Sequence, residues 1–238
     1  MSYIEFNGFK STDFDLRLEN GLTFSSPSRD IDFVKIPGSD GEIGNGDGTL
    51  FNASRAFPFR VFPKNGKTIE QAATEISNWL KKDVLWHELY FDGDPEYIYT
   101  AIYAEEYDVE RFMSLHGKCT LNFAIKPYKF LKSGLKPLTS PTALNNPTTR
   151  DARPLITLKG TGNITLQIGT ENLTLKNVDG GVVIDSLKQV VTNLDGTRPA
   201  WDKVTSYPLP VIKPGSQAVL TTGTITELKI TPRYEVIV

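Results

Sequence analysis

Cysteine and histidine are nearly missing from this 238-residue chain: there is one cysteine, Cys119, and two histidines, His87 and His116. One cysteine cannot close an internal disulfide. Its place in the alternating run GKCTLNFAI makes it a strand side chain. So few soft ligands rule out a Cys/His zinc cluster, and no HExxH occurs. No GxSxG occurs either, and the histidines, in LWHELYF and in the turn SLHG, read as solvated or hydrogen-bonded side chains, so a serine triad has no support. No apolar run approaches the roughly 18 residues of a membrane span. The opening MSYIEFNGFK lacks the basic and apolar regions of a signal peptide, so the expected place of synthesis is a cytoplasm. Net charge is only −2, too little to point to nucleic acid or an anionic membrane.

What the chain has is material for folded cores: 39% hydrophobic residues, 11% aromatic and 23% charged, with no signature of disorder. A length near the size at which single cores split favours two domains. Charge divides the same way. Up to Lys132 there are 15 Lys and Arg against 20 Asp and Glu, and after it 11 against 8. The first half alternates apolar and polar residues over 3–6, 31–36, 56–62, 88–91, 98–107 and 118–125, which predicts strands. Ile69, Ala72, Ala73, Ile76, Trp79 and Leu80 instead recur at helical spacing. Thr68 and Gln71 stand as a capping box before them, so a helix is predicted over 69–82, with its apolar stripe on a sheet.

The stretch KSGLKPLTSPTALNNPTTRDARP carries four prolines among polar residues and reads as an extended connector, 132–153. Beyond it, LITLKG, NITLQIG, NLTLKNV, GVVIDS, AVLTTG and ELKITPRYEVIV are short β runs separated by turns, which predicts an antiparallel β-sandwich. The expected organisation is an N-terminal β domain with one helix, 1–131, and a C-terminal sandwich, 132–238.

Candidate chemistry is sparse. Asp92 and Asp94 in FDGDPEY, with Glu105 and Glu106 in AEEYDVE, are the groups that acid–base catalysis or calcium would use. Asp-Gly-Asp-Pro is first of all turn chemistry, and a charge run after a strand a solvated loop. IPGSDGEIGNGDGTL, residues 36–50, is glycine-rich, but strands flank it on both sides and no Lys-Ser/Thr follows, so it reads as a flexible excursion or hairpin and not as a phosphate loop. No cofactor or metal site is assigned. Trp201 in TRPAWDK, with Arg198, Asp195 and Asp202 near it in sequence, is the arrangement a carbohydrate-binding module or adhesin would use, since aromatics stack on sugar faces. Such a module is the alternative reading, and a β-sandwich hydrolase a third.

The order of features resembles the distal tail protein (Dit) family of long-tailed, non-contractile phages that infect Gram-positive bacteria. FNGFKSTDFDLRLEN at 6–20 is similar to that family's opening, VKIPGSDGEI at 34–43 to its Pro-Gly loop, and the helix ending in NWL with LYFDGDPEYIYTAIY to its helix and strand. LNFAIKPYKF at 121–130 is similar to the close of its N-terminal domain. DARPLITLKGTGNITLQIG, GGVVIDS and ITELKITPRYEV resemble its galectin-like sandwich. The departure is Asp15, where the family often has a small residue.

The resemblance implies a structural virion protein at the phage tail tip, without enzymatic activity. It implies six copies in a ring between the major tail tube protein and the tail-associated hub or lysin, holding receptor-binding or baseplate proteins. Within that expectation, Ile36, Pro37, Gly38, Gly41, Gly46 and Gly48 are the candidate subunit interface, since glycine permits close backbone approach. Trp201, Arg198 and Asp202 are the candidate contacts to an outer partner.

Overall fold

A computed structural model describes residues 2–112 and 116–238. Ser114 and Leu115 of the turn assigned to SLHG lie outside the described residues. The chain divides into two compact units, Met1–Lys129 with Ile237–Val238, and Phe130–Val236. Both are β-rich, and the first carries the single α-helix among the described residues, as the periodicity of the sequence predicts.

In the first unit the main sheet runs Phe9–Lys10, Ile4–Phe6, His87–Phe91, Tyr97–Ile102, His116–Leu131, Ala53–Val61 and Leu16–Leu18. Its spine is the antiparallel pair in which Ala53 faces Ile125 and Val61 faces Gly117. Period-two alternation turns Phe57, Phe59, Val61, Cys119, Leu121, Phe123 and Ile125 into one core, because successive strand side chains point to opposite faces. Arg55 shares that inward row. The helix is Ile69–Leu80. Its capping box is formed on both sides: Gln71 N–H donates to Thr68 Oγ1 at 3.2 Å, and Thr68 N–H to Gln71 Oε1 at 2.9 Å. Ala72, Ile76, Trp79 and Leu80 are its buried face. Trp79 stacks on Phe14 at 4.5 Å and donates Nε1–H to the Phe6 carbonyl at 3.0 Å. A fully buried side chain of this kind contributes about 1.5–3 kcal/mol, enough to hold a helix too short to persist alone. Asp15 has φ 60° and ends a short 3-10 helix, its N–H bonded to the Ser11 carbonyl. Asp tolerates that left-handed conformation, so the departure noted above leaves the local turn intact.

One sequence expectation is corrected here. The strand expected over 98–107 stops at Ile102, leaving Glu105 and Glu106 on an exposed loop. The edge strands of the main sheet are two and three residues long, a length that blunts edge pairing.

The second unit is built on two long strands, Leu155–Ile168 and Gly215–Thr231, paired antiparallel over two stretches, 155–161 and 165–168 of the first strand. Each serves two layers. Residues 155–159 pair with Gly181–Asp185, and 164–168 with Glu171–Val178. The register shifts between Lys159 and Gly160 and again between Thr161 and Thr165, and bulges of this kind let a strand turn a corner from one sheet to another. The corner needs glycine. A Cβ on Gly160 would lie 2.3 Å from the Thr224 carbonyl oxygen, and one on Gly223, at φ +100°, 2.4 Å from that of Asn163. Ile156, Leu158, Leu166, Leu175, Ile184, Leu228 and Ile230, drawn from both layers, share one core.

The segment 132–153, expected as a connector, belongs to this unit. Leu138–Thr139 and Ala143–Asn146 pair with the strand Gly215–Thr231, and Leu144 and Ala152 are buried. Asn146 donates to the carbonyls of Arg150 at 2.7 Å and Ile212 at 2.9 Å and accepts from Thr148 N–H and Oγ1–H. Prolines and asparagines that read as linker composition thus form a hydrogen-bonded edge. Glu235, also buried, accepts two bonds from Arg153 at 2.9 and 3.0 Å, and Asp185 two from Arg233 at 2.6 and 3.2 Å.

Candidate functional site

The glycine-rich segment forms a β-ribbon separate from the main sheet. Asp32–Lys35 pairs with Glu42–Asn45, with Val34 opposite Ile43 and Phe33 opposite Gly44. Below these strands, Asp30 N–H donates to the Thr49 carbonyl at 3.1 Å and Phe51 N–H to that of Ser28 at 3.0 Å. The paired arms span roughly 25 Å, eight residues at about 3.3 Å each. Every residue from 28 to 49 is exposed. Phe33, 67% exposed, lies on one face and Val34 and Ile43 on the other; Ile31, Ile36 and Phe51 are exposed as well. A two-stranded ribbon is marginal alone in water, and exposed apolar surface of this extent marks an interaction site.

The sequence candidates fall at two places on it. Ile36, Pro37, Gly38 and Gly41 make the tip: Ser39 N–H bonds the Ile36 carbonyl at 3.2 Å, with Pro37 and Gly38 (φ +82°) in the central positions that a tight turn requires. Gly46 and Gly48 lie in the stem. A Cβ on Gly46 would meet the Asp30 carbonyl oxygen at 2.4 Å, so the close backbone approach that glycine permits there is to the ribbon's own other arm. Gly48, at φ +82°, follows Asp47, whose carboxylate is held below its ordinary range by the side-chain and backbone hydrogen bonds of Thr49. The apolar side chains Phe33, Val34 and Ile43 were not singled out as site residues. Their signal, an alternating run in IDFVKI, specified a strand without saying that neither face would be covered.

The other candidates do not assemble into a site. Trp201 opens a 3-10 turn, Trp201–Lys203, and the residue is 40% exposed. Asp202 pairs with Lys203 at 3.5 Å. Asp195 caps its own turn by accepting from Thr197, which lowers its pKa, and Arg198 is joined to Asn193 through its backbone. Among the acidic groups, Asp92 lies in the turn after His87–Phe91, and Asp94 pairs with Lys129 at 2.5 Å and accepts from Tyr99. Burial raises the Asp94 pKa, but those hydrogen bonds outweigh it and the net shift is downward. His87 bonds Asp83 at 2.7 Å, and burial pushes the Cys119 thiol up to about 12. No three His, Cys, Asp or Glu side chains converge on a metal position among the described residues.

No protein-family model matches the chain, and no curated protein does. Among solved structures it is similar to the Dit protein of phage SPP1, described as a paradigm of the hub adsorption apparatus in phages that infect Gram-positive bacteria. That similarity has a TM-score of 0.71 at 17% identity over 97% of both chains. It is similar also to a chain of the phage P2 baseplate in its activated conformation with Ca, TM-score 0.50 at 10% identity. The p2 baseplate in its activated conformation with Sr gives TM-score 0.51 at 9% identity, and each of these two likenesses again covers 97% of both chains. At these identities the likeness is one of fold. The resemblance read from the sequence therefore holds at that level, and the chain has a Dit-like fold along nearly its whole length.

Proposed function

We propose that this protein is a structural component of a phage tail tip, a Dit-type subunit that assembles six to a ring. In this reading the ring joins the major tail tube protein to a tail-associated hub or lysin protein and carries receptor-binding or baseplate proteins. It is a virion protein and does no chemistry. The observation that carries the assembly part of the reading is the ribbon 28–51, with apolar side chains on both faces and every residue from 28 to 49 exposed. A second copy of the same chain is the partner that covers it: a head-to-tail interface joins two different patches and closes into a ring when the rotation per subunit divides a full turn. The fold likeness to the SPP1 hub protein supports that choice of partner. Trp201 and its neighbours are the proposed contacts to an outer tail-tip protein.

Light scattering and negative-stain images test the proposal together. The expected particle has six-fold symmetry and a mass of about 159 kDa, six chains of 26.5 kDa, alone or after addition of tail tube protein. A chain that stays monomeric under both conditions, or that hydrolyses cell-wall polymer, overturns it.

A further inference from the structure

A head-to-tail ring needs two different surfaces on each subunit, one that reaches and one that receives. The ribbon 28–51 is the first. Among the described residues of the first unit, the large apolar side chains left exposed fall into two groups, apart from Ile237 and from Phe24, whose ring lies 4.4 Å from the Arg55 guanidinium. One group is on the ribbon. The other is Phe9 with Val84, Leu85 and Trp86, of which Val84 is 86% and Leu85 62% exposed.

This second group forms one surface. Residues 81–86 join the end of the helix to the strand His87–Phe91. Lys82, near the start of the join, has its ammonium 5.9 Å from the Phe9 ring, and Trp86, at its end, has the Lys126 ammonium 4.0 Å from its ring centre. The turn is set in advance: Asp83 accepts the Leu85 N–H at 2.9 Å and bonds His87 at 2.7 Å. Three successive apolar side chains are thus held at the surface by a hydrogen-bonded loop, which lowers the cost of ordering them on binding. Apolar side chains bordered by charge are the composition of an interface centre and its rim.

Charge favours the ribbon as the occupant. Asp30, Asp32, Asp40, Glu42 and Asp47 stand on it against Arg29 and Lys35, five negative against two positive. Around the receiving group Lys81, Lys82 and Lys126 stand against Asp83 and Glu88, three positive against two negative, and Asp83 is engaged within its own turn. Opposite signs steer encounter and fix register. Both apolar groups are exposed in the same chain, so neither covers the other within it. We propose that the turn 81–86, with Phe9 and Lys126, receives the ribbon of the next copy of this chain. The assignment rests on the ring reading above and adds the surface on which that ring closes.

The test uses two full-length variants. Phe33→Ser with Ile43→Ser removes apolar side chains from the ribbon and keeps the receiving turn, while Val84→Ser with Leu85→Ser does the reverse. All four positions are exposed, so the folds are expected to stay intact, with unchanged unfolding midpoints. Each variant alone is expected to assemble about tenfold or more weakly than the parent, read by light scattering against concentration. Mixed above the concentration at which the parent assembles, the two are expected to form a 1:1 heterodimer of about 53 kDa, twice 26.5 kDa. The one intact ribbon then meets the one intact turn, and no further copy can add. A turn variant that assembles as the parent does overturns the inference and leaves the ring reading standing, and a mixture that stays monomeric also overturns it. Rings of the turn variant that no longer retain tail tube protein would assign the turn to that partner instead and overturn it as well. A parent chain that never assembles, alone or with tube protein, overturns the ring reading and this inference together.

Discussion

The ribbon 28–51 and the segment 132–153 are placed otherwise than their local sequences suggest. The first carries Phe33, Val34 and Ile43 on its paired strands and leaves them in solvent; the second is rich in proline and polar residues, and Leu144, Asn146, Thr148 and Ala152 within it are buried. Composition describes what a segment would gain by burial. Whether the segment is buried depends on whether the rest of the chain supplies a surface or hydrogen-bond partners. Asn146 finds them in carbonyls as far away in sequence as Ile212, and within its own chain the ribbon finds no cover for Phe33 or Ile43.

The largest expected effect is at Asn146. Asn146→Ala leaves the Ile212 and Arg150 carbonyls and the Thr148 N–H without their partner, and should cost the second unit about 3 kcal/mol or more in denaturant unfolding. A loss below about 1 kcal/mol would show that the segment is a connector after all. On the ribbon the balance is reversed. Phe33→Ser with Ile43→Ser should leave the unfolding of the isolated chain within about 0.5 kcal/mol of the parent while weakening ring assembly tenfold or more, read by light scattering against concentration. Replacing Gly41 to Gly48 by a two-residue turn should do the same, and normal assembly by either variant would remove the ribbon from the interface.

Limited proteolysis sets the two segments directly against each other. The linker-like composition of 132–153 points to cleavage there, whereas exposure and pairing point to the ribbon tip, 36–41. The first cut is expected at the tip, and mass spectrometry of the earliest fragments decides between them.

The smallest effect is a pH slope. Burial raises the Glu235 pKa above 4.5, against the pull of Arg153 and Arg150. The folded chain therefore holds a proton at pH values where the unfolded chain has released it, so stability contributed by this group falls as pH rises from about 4.5 through the raised value. Glu235→Gln should flatten that slope in pH-dependent unfolding. An unchanged slope would place its origin elsewhere.

The helix 69–80 was legible because its signals are local: a capping box three residues wide and a stripe at helical spacing. The longer strands of the main sheet, such as Ala53–Val61 and His116–Leu131, were legible for the same reason, their alternation recording which face is buried, whereas Phe9–Lys10, Leu16–Leu18 and Thr23–Phe24 are too short to show a period. SRAFPFRV puts Arg55 in phase with Phe57, Phe59 and Val61, but a charged residue at the start of an alternating run carries no local sign that it faces inward. The corner glycines of the second unit were not legible, because Gly160 and Gly223 are required by the backbone of distant residues and not by any turn motif around them.

By itself the sequence determined the helix and the longer alternating strands, and which of their side chains would face inward, because period and capping act over a few residues. Tertiary structure decided which strands became partners. It therefore decided that 132–153 would be an edge of the second unit, that 28–51 would stand exposed, and that Arg55 would be buried among aromatic rings. Those outcomes depend on contacts between residues tens of positions apart, which no local pattern encodes.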